Sequence, residues 1–339
     1  MKMISWNCRG LGTPRAVGAL RKLITMERPD LVFLMETRKK AFEIQKTKMP
    51  SGLVHSIGVD CNGEGKSRGG GLACYWSSSL DVNIISLSSN HIQMEVTTTI
   101  IDSKMVVTGI YGHPEAPQKW RTWELIKKLT PDPEVPWLCL GDFNEVLKSS
   151  EKTGGNPINF VGAQAFQEAM DFCGLRDMGF SGFQFTWSNM RPTPNTIQER
   201  LDRALVNECW TEHWPHTHVS HLDRFNSDHN PIYVIFSKAK RQKKKKIRLY
   251  RFEEMWLQEE DCRHVIHHSW PRGGRNITSK LGNVGANLTE WAEATFGNIQ
   301  KRIKSQLGII KRIQAAEQTE ENLKKGKEAE KELENLLKL

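Results

Sequence analysis

Short apolar runs alternate with helical patterns along the first two thirds of the chain. Leu31–Met35 is apolar at every position, which is typical of a strand buried on both faces. Between Ala16 and Met26 the apolar residues recur at helical spacing, and Pro29 stops the predicted helix. Further strands are predicted at Met3–Trp6, Leu72–Trp76, Val82–Leu87, His91–Ile100, Met105–Tyr111, Trp137–Leu140, Phe183–Trp187, Asp202–Val206 and Pro231–Phe236, and further helices at Trp120–Leu129 and Phe166–Cys173. This mixture predicts a layered α/β fold with packed sheets.

The pattern changes after residue 237. Residues 238–246 hold seven basic side chains in nine, too many like charges to pack, and we predict an exposed linker over 238–249. Two interpretations of this run stay open, a nuclear localisation signal or nucleic-acid tether and a solubilising spacer. Residues 250–339 are predicted to be helical, with an apolar seam near the end that needs a partner surface or self-association. We therefore predict a folded domain over 1–237, the linker and a helical extension.

Charge and cysteine content narrow the class of protein. The formal net charge of +9 favours a polyanionic partner, because Lys and Arg that neutralise phosphates release condensed counterions. Seven cysteines lie far apart without a Cys-x-x-Cys pair, which argues against a structural zinc site or a disulfide framework. The N-terminus lacks a signal-peptide pattern, and no apolar run approaches the ~18 residues of a membrane span. We expect a nuclear or cytoplasmic protein that is not secreted.

Polar side chains able to do chemistry stand at the ends of several apolar runs. They are Asn7, Glu36, Asp142 with Asn144, and Asp228 with His229. Strand ends converge at one rim of a sheet fold, where loops on a rigid scaffold assemble sites, and carboxylate oxygens suit Mg²⁺. Each residue taken alone also fits a cap, a turn or a surface carboxylate. Asp202, two residues after Arg200, equally fits a surface ion pair of little energetic value.

The ordered motifs resemble the endonuclease/exonuclease/phosphatase superfamily. They are Trp6-Asn7-Cys8-Arg9-Gly10, Glu36-Thr37, Tyr111-Gly112-His113-Pro114, Gly141-Asp142-Phe143-Asn144, Phe185-Thr186-Trp187, Arg200-Leu201-Asp202-Arg203 and Ser227-Asp228-His229. Their wording is similar to the apurinic-type endonuclease domains of plant non-LTR (LINE-type) retrotransposons over roughly residues 1–237. The resemblance implies a DNase I-like four-layer α/β sandwich, two packed mixed sheets flanked by helices, followed by a helical C-terminal extension. That extension resembles the connector to a reverse transcriptase, although residues 1–339 contain no YxDD or FxDD motif.

The resemblance also implies a role for each motif residue. Catalytic roles fall to Asp142, which orients and deprotonates the attacking water, and to Asn144, His229, Asp202 and Tyr111. The ligands of Mg²⁺, for which Mn²⁺ would substitute, are Glu36, Asn7 and Asp228. Substrate contacts are expected from Thr186, Arg9, Arg38, Trp187 and Ser227. The implied enzyme is a metal-dependent phosphodiester hydrolase that binds the phosphate backbone of duplex DNA and nicks it.

Alternatives to this function stay open at the level of sequence. The same fold also acts on abasic DNA, RNA or a phosphoinositide, and a catalytically silent nucleic-acid- or protein-binding remnant is a further alternative. Relatives often carry Tyr-x-Pro-Asn where this chain has Tyr111-Gly-His113-Pro114, so His113 either replaces a phosphate contact or is a loop residue. Loop residues that either track a DNA backbone or are merely solvated charges are Arg9, Arg38, Lys66, Arg68 and Arg191.

Overall fold

The computed structural model describes residues 1–98, 103–224, 226–237, 256–257, 259–272, 276–296, 299–316 and 319–338. The chain divides into two compact units, one formed by residues 1–239 with 310–330 and the other by 240–309 with 331–339. The basic run predicted to be a linker lies outside the described residues. Among the described residues, every helix is too short or too polar to cross a lipid bilayer.

The first 237 residues form strands with helices interspersed among them. The strands are β1 (Lys2–Asn7), β2 (Leu31–Met35), β3 (Leu53–Val59), β4 (Leu72–Ser77), β5 (Leu80–Ser88), β6 (His91–Thr98), β7 (Ser103–Tyr111), β8 (Trp137–Asp142), β9 (Lys152–Thr153), β10 (Arg176–Asp177), β11 (Ser181–Gly182), β12 (Trp187–Ser188), β13 (Gln198–Glu199), β14 (Asp202–Val206), β15 (His218–His221) and β16 (Ile232–Ile235). The helices are α1 (Pro14–Glu27), α2 (Ala41–Lys46), α3 (Lys119–Lys128), α4 (Phe160–Phe172) and α5 (Glu208–His213). Helices α6 (Glu260–Ser269), α7 (Ile277–Phe296), α8 (Ile299–Ala315) and α9 (Glu320–Lys338) follow.

Two large mixed sheets form the body of the first unit. One has the strand order β11-β15-β16-β1-β2-β4-β3, and the other has the order β10-β14-β8-β7-β6-β5. Parallel pairing joins β1 to β2 and β7 to β8. Buried side chains of both sheets, such as Phe33 and Cys74 of the first and Met94 and Leu140 of the second, belong to one hydrophobic cluster. The two sheets therefore pack face to face.

Helices cover the outer faces of the sheets. Trp123 of α3 and Phe166 of α4 stack with ring centroids 4.5 Å apart, and both belong to a cluster with Cys139 on the outer face of the second sheet. The short helix α2 packs against β3 of the first sheet, and Tyr75 of β4 donates a hydrogen bond to the carbonyl of Ile44 in α2. The four-layer α/β sandwich followed by helices is confirmed.

Local sequence explains where α1 begins and ends. The Thr13 hydroxyl accepts a hydrogen bond from the backbone N–H of Ala16, and Pro14 occupies the first helical turn, where its missing N–H costs nothing. At the other end Arg28 caps the helix in a left-handed conformation (φ 49°), with its N–H donating to the carbonyl of Ile24, and the following Pro29 prevents the helix from continuing. The predicted stop at the proline is confirmed.

The predicted strand at Phe183–Trp187 is wrong. Only Trp187 belongs to a strand, β12, and the preceding residues form an irregular loop. This loop buries Thr186, whose hydroxyl accepts hydrogen bonds from the backbone N–H groups of Leu201 and Asp202. Hydrogen bonds from side chains to the backbone compete with the backbone hydrogen bonds of a sheet, and a hydrophobic pattern does not reveal them. Sequence patterns also missed α2, β3, α5 and β15.

Two buried arginines brace the edge of the second sheet. Arg203, with no exposed surface, pairs with Glu151 and, at 2.7 Å, with Asp177. Arg200 binds the same two carboxylates at 2.9 and 2.8 Å. The interpretation of Asp202 as the ion-pair partner of Arg200 is therefore wrong. Breaking a buried pair from one side leaves an uncompensated charge, which typically costs about 3–5 kcal/mol.

We predict that Asp177 makes this edge of the fold acid-sensitive. Burial would raise the pKa of Asp177, but hydrogen bonds and charges from Arg200 and Arg203 outweigh it and hold the pKa at about 2. Because the folded-state pKa lies below the ordinary value, the stabilisation is fully present above about pH 5 and is lost as the pH falls towards 2. The shift corresponds to roughly 2 kcal/mol.

Denaturant unfolding of the wild type and Asp177→Asn as a function of pH tests this prediction. The wild-type advantage in the free energy of unfolding should stay constant near neutrality and shrink in acid. Asp171→Asn, an exposed change on α4, serves as the control and should show no such trend. An advantage of Asp177 that is independent of pH would contradict the ion-pair account.

Candidate active site

The ends of strands from both sheets meet around Asn7. Asn7 ends β1, and Glu36 directly follows the parallel strand β2, so the two side chains emerge at the same edge. On the other sheet, Asp142 ends β8 and lies opposite Asp202 of β14. The Asn7 amide donates to Glu36 Oε1 at 3.1 Å and to Asp142 Oδ2 at 3.0 Å. One buried asparagine thus ties the two sheets together at the predicted rim.

Four residues of this rim have left-handed backbone. They are Arg9 (φ 52°), Glu36 (φ 51°), Arg38 (φ 53°) and Asn144 (φ 54°). Non-glycine residues are uncommon in this region, and such strained positions cluster at functional sites, where the surrounding structure holds them. In this rim, sharp turns bring Arg9, Arg38 and Asn144 back towards the carboxylates of Glu36 and Asp142.

His229 lies between two buried carboxylates. Its Nδ1 is 2.9 Å from Asp202 Oδ2, and its Nε2 is 3.8 Å from Asp142 Oδ2. All three residues are at most 3% exposed. Burial lowers the pKa of His229, but the charges of Asp202 and Asp142 outweigh it and raise the pKa to about 9. A pKa above neutrality favours an imidazole that is protonated on both nitrogens at neutral pH.

Burial has the opposite effect on Asp142. Loss of hydration raises the pKa of its carboxyl to about 6, although the charge of His229 pulls it down. The remaining contacts fix the carboxylate, with Oδ2 accepting from Asn7 and Oδ1 accepting from the backbone N–H of Asn144 at 3.0 Å. An acid held this way suits proton transfer near neutral pH.

A cation already lies between Glu36 and Asp228. The guanidinium of Arg9 places Nη1 3.4 Å from both Glu36 oxygens and Nη2 2.8 Å from Asp228 Oδ2. The Tyr111 hydroxyl donates to Glu36 Oε1 at 3.1 Å, and the Trp187 indole donates to Asp228 Oδ2 at 3.0 Å. The carboxylate oxygens of Glu36 and Asp228, which surround a positive charge, fit a hard divalent cation such as Mg²⁺.

A second group of ligand-type atoms is formed by Asp142, Asp202 and His229, which lie within 4.8 Å of one another. The chemistry of this group fits proton transfer better than Mg²⁺ binding. The short contact from Nδ1 of His229 to Asp202 occupies one ring nitrogen, and Mg²⁺ prefers oxygen ligands. Both features point to Glu36 and Asp228 as the residues that fit a metal.

The turn at the end of β8 depends on Gly141. Its φ of +149° is rare for residues with side chains, and a Cβ there would lie 1.9 Å from the carbonyl oxygen of Ile110. The same turn lets the Asn144 side chain donate to the carbonyl of Gly112 at 2.9 Å. The Gly-Asp-Phe-Asn motif therefore encodes a close backbone approach as well as a carboxylate.

Two predicted substrate contacts lie behind the rim. Thr186 is fully buried and holds the start of β14 through the backbone N–H groups of Leu201 and Asp202. Ser227 donates to the carbonyl of Asn7 at 2.8 Å, which joins the last loop to β1. These contacts suggest that Thr186 positions Asp202 and that Ser227 positions Asp228. For Thr186, complete burial argues against direct contact with a substrate.

The basic loop residues differ in their surroundings. Arg38 approaches Glu36 at 3.8 Å, and Arg68 is held by Glu43 at 2.8 Å. Arg191 is exposed, whereas the side chain of Lys66 lies outside the described residues. The backbone N–H of His113 donates to the Thr122 hydroxyl at 2.9 Å. Whether His113 contacts phosphate stays a prediction.

The family is established by sequence. The pattern of the Endonuclease/Exonuclease/phosphatase family matches residues 4–229, and the chain belongs to that family. Members are hydrolytic nucleases or phosphatases that generally depend on divalent metals. No curated protein matches the sequence.

Solved structures share the fold at low sequence identity. The endonuclease domain of TRAS1, a telomere-specific non-LTR retrotransposon, is 13% identical with a TM-score of 0.52, over 71% of this chain and 99% of that domain. The AP endonuclease LMAP from Leishmania major is 15% identical with a TM-score of 0.51, over 69% and 86% of the two chains. The Xenopus laevis APE2 catalytic domain is 16% identical with a TM-score of 0.50, over 70% and 91%.

We predict that Gly141→Ala destabilises the protein far more than Gly174→Ala. Both glycines have positive φ (149° and 63°), but nothing lies within 4 Å of a Cβ at Gly174. Left-handed strain alone costs about 1–2 kcal/mol, whereas the collision at Gly141 adds a backbone shift beside Asp142. Chemical denaturation of the two variants measures the difference. Equal losses would show that backbone strain alone makes glycine necessary at this position.

Proposed function

We propose that this protein is a Mg²⁺-dependent phosphodiester hydrolase that nicks duplex DNA. The observation that carries the proposal is the pairing of two sites at one rim. Glu36 and Asp228 flank a positive charge, and the row Asp142–His229–Asp202 lies directly beside them, linked through the Asn7 amide. Such an arrangement can stabilise charge on a phosphodiester and activate water within one site.

Glu36, Asp228 and the Asn7 amide oxygen are the proposed metal ligands. A bound Mg²⁺ would supply charge neutralisation on the phosphate oxygens. The chain's own residues do the rest of the positioning. The Tyr111 hydroxyl donates a hydrogen bond to Glu36 Oε1 at 3.1 Å and so fixes the orientation of that carboxylate. Mn²⁺ should replace Mg²⁺, because the ligands are oxygens.

Proton transfer is assigned to Asp142 and His229. Asp142, held by Asn7 and by the backbone N–H of Asn144, orients the attacking water and accepts its proton, a role that typically contributes 10²–10⁴-fold in rate. His229, protonated on both nitrogens, donates a hydrogen bond from Nε2 to a non-bridging phosphate oxygen. Asp202 fixes the ring through Nδ1. As the water oxygen bonds to phosphorus, the bond from phosphorus to the leaving sugar oxygen breaks, and that oxygen takes up a proton from solvent. Asn144 holds Asp142 and contacts the phosphate.

DNA is the proposed substrate because two arginines lie at the rim. Arg9 and Arg38 lie within 4 Å of Glu36, whereas the net charge of +9 comes from residues 238–339. Together with Trp187 they offer backbone contacts that position a duplex without reading its sequence. The motif wording supports an origin in a plant non-LTR retrotransposon. The domain boundaries, a nuclear location and a partner for the C-terminal helices stay predictions.

Nicking of supercoiled plasmid tests the activity. The wild type should convert supercoiled to open-circular DNA with Mg²⁺ or Mn²⁺ and not with EDTA. Asp142→Asn and His229→Gln should each slow the reaction by at least about 10²-fold, the usual cost of losing a positioned acid or base. Glu168→Gln, an exposed change on α4, should nick like the wild type. Equal rates for Asp142→Asn and the wild type would refute the assignment.

The same preparations separate the alternative functions. Turnover of intact duplex should exceed that of inositol phosphates, because only a long polyanion uses the arginines around the rim. Faster hydrolysis of abasic duplex or of RNA would support the phosphodiester hydrolysis but would make that nucleic acid, and not intact duplex DNA, the preferred substrate. Intact plasmid with every metal, from a folded protein, would favour a catalytically silent binding remnant.

A further inference from the structure

Arg9 bridges the two carboxylates that are best placed to hold a metal. Each of its terminal nitrogens serves one partner, Nη1 at 3.4 Å from Glu36 and Nη2 at 2.8 Å from Asp228. The planar guanidinium fork is well suited to join two carboxylates in this way. The two carboxylate side chains are only 11% and 16% exposed, so they would repel each other without an intervening cation.

The backbone of Arg9 is held in place, while its side chain is partly exposed to solvent. The residue is held in left-handed geometry (φ 52°), and its backbone N–H donates to Asn7 Oδ1 at 3.3 Å. The side chain is nevertheless 45% exposed. A guanidinium and a divalent ion cannot occupy the same space between two carboxylates, and at such separations their charges repel strongly.

We propose that Arg9 is a built-in counter-cation of Glu36 and Asp228, which a divalent metal must displace in order to bind. The inference rests on the proposed function, since it concerns the same carboxylates. Before metal binds, the single positive charge of Arg9 offsets part of the negative charge of the two carboxylates and stabilises the rim. After displacement, its guanidinium would be available to contact a substrate phosphate.

Arg38 provides the matched comparison. It also has left-handed backbone and is 44% exposed, but its contact with Glu36 is longer, at 3.8 Å. Removing Arg38 therefore removes a nearby positive charge without opening a bridge. Any effect of Arg9 beyond that of Arg38 reports displacement rather than general electrostatics.

Mn²⁺ binding to the full chain, followed by electron paramagnetic resonance without substrate, tests the proposal. If the bridge is closed about nine-tenths of the time, Arg9→Gln should lower the Kd for Mn²⁺ by about tenfold, because apparent affinity scales with the competent fraction. Arg38→Gln should lower it by no more than about twofold to threefold, the effect of one screened charge. Lysine cannot contact both carboxylates as a guanidinium does, so the Kd of Arg9→Lys for Mn²⁺ should lie between those of Arg9→Gln and the wild type. Glu36→Gln should abolish binding.

Thermal unfolding gives a second readout that needs no activity. In EDTA, Arg9→Gln should unfold at a lower temperature than the wild type, because the two carboxylates lose their counter-cation. Saturating Mg²⁺ should then raise the Tm of Arg9→Gln more than that of the wild type. Circular dichroism at low temperature checks that each variant is folded.

The outcomes separate this proposal from the proposed function. A folded Arg9→Gln with Mn²⁺ affinity equal to or weaker than that of the wild type overturns the displacement, whatever the nicking assay shows. Tighter binding by Arg9→Gln, lost again in Arg9→Gln/Glu36→Gln, supports it even if no plasmid is cleaved. In that case metal binding stands and only the hydrolase assignment fails.

Discussion

The contact of His229 with Asp202 and Asp142, buried between the two sheets, is the interaction on which the site depends. Burying ionised groups is costly, and attraction compensates only when each group keeps its partners. Asp202 and Asp142 come from neighbouring strands of the second sheet, whereas His229 comes from the loop before β16 of the first. The row can therefore exist only when the two sheets are packed in the correct register. The contact of His229 with Asp202 and Asp142 therefore depends on the packing of the sheets and also forms part of the candidate active site.

Strand β14 carries charge on both of its faces. Successive side chains of a strand point in opposite directions, so Asp202 faces His229 while Arg203 faces the other way. There Arg203 meets Glu151 and Asp177, and Arg200 binds the same two carboxylates. This brace holds the strand from behind. The hydroxyl of Thr186 accepts hydrogen bonds from the backbone at the start of β14. The position of Asp202 therefore depends on His229, on the arginine ion pairs and on Thr186.

Apolar runs predicted much of the scaffold. Leu31–Met35 is the same in prediction and structure, since a strand buried on both faces must be apolar throughout. The prediction that Asn7, Glu36 and Asp142 would meet rested on strand ends and motif wording, and the hydrogen bonds of Asn7 bring them together. Their chemical roles are proposals that rest on this geometry.

Other features depend on partners far apart in sequence. Arg200 pairs with carboxylates 49 and 23 positions away, and no local pattern marks such a pair. The loop before β12 was predicted as a strand because its aromatic residues mimic strand composition, while the buried hydroxyl of Thr186 decides its path. The bridge of Arg9 to Glu36 and Asp228 depends likewise on two turns that only the folded chain brings together.

The charge of His229 in the folded, metal-free protein tests the central claim most directly. Selective ¹⁵N labelling of histidine, with His229→Gln to assign the signal, reports the protonation of both ring nitrogens by NMR. The account predicts a doubly protonated ring at neutral pH that titrates with a pKa of about 9. A neutral ring at neutral pH, titrating at or below the ordinary histidine value of about 6.5, would contradict it.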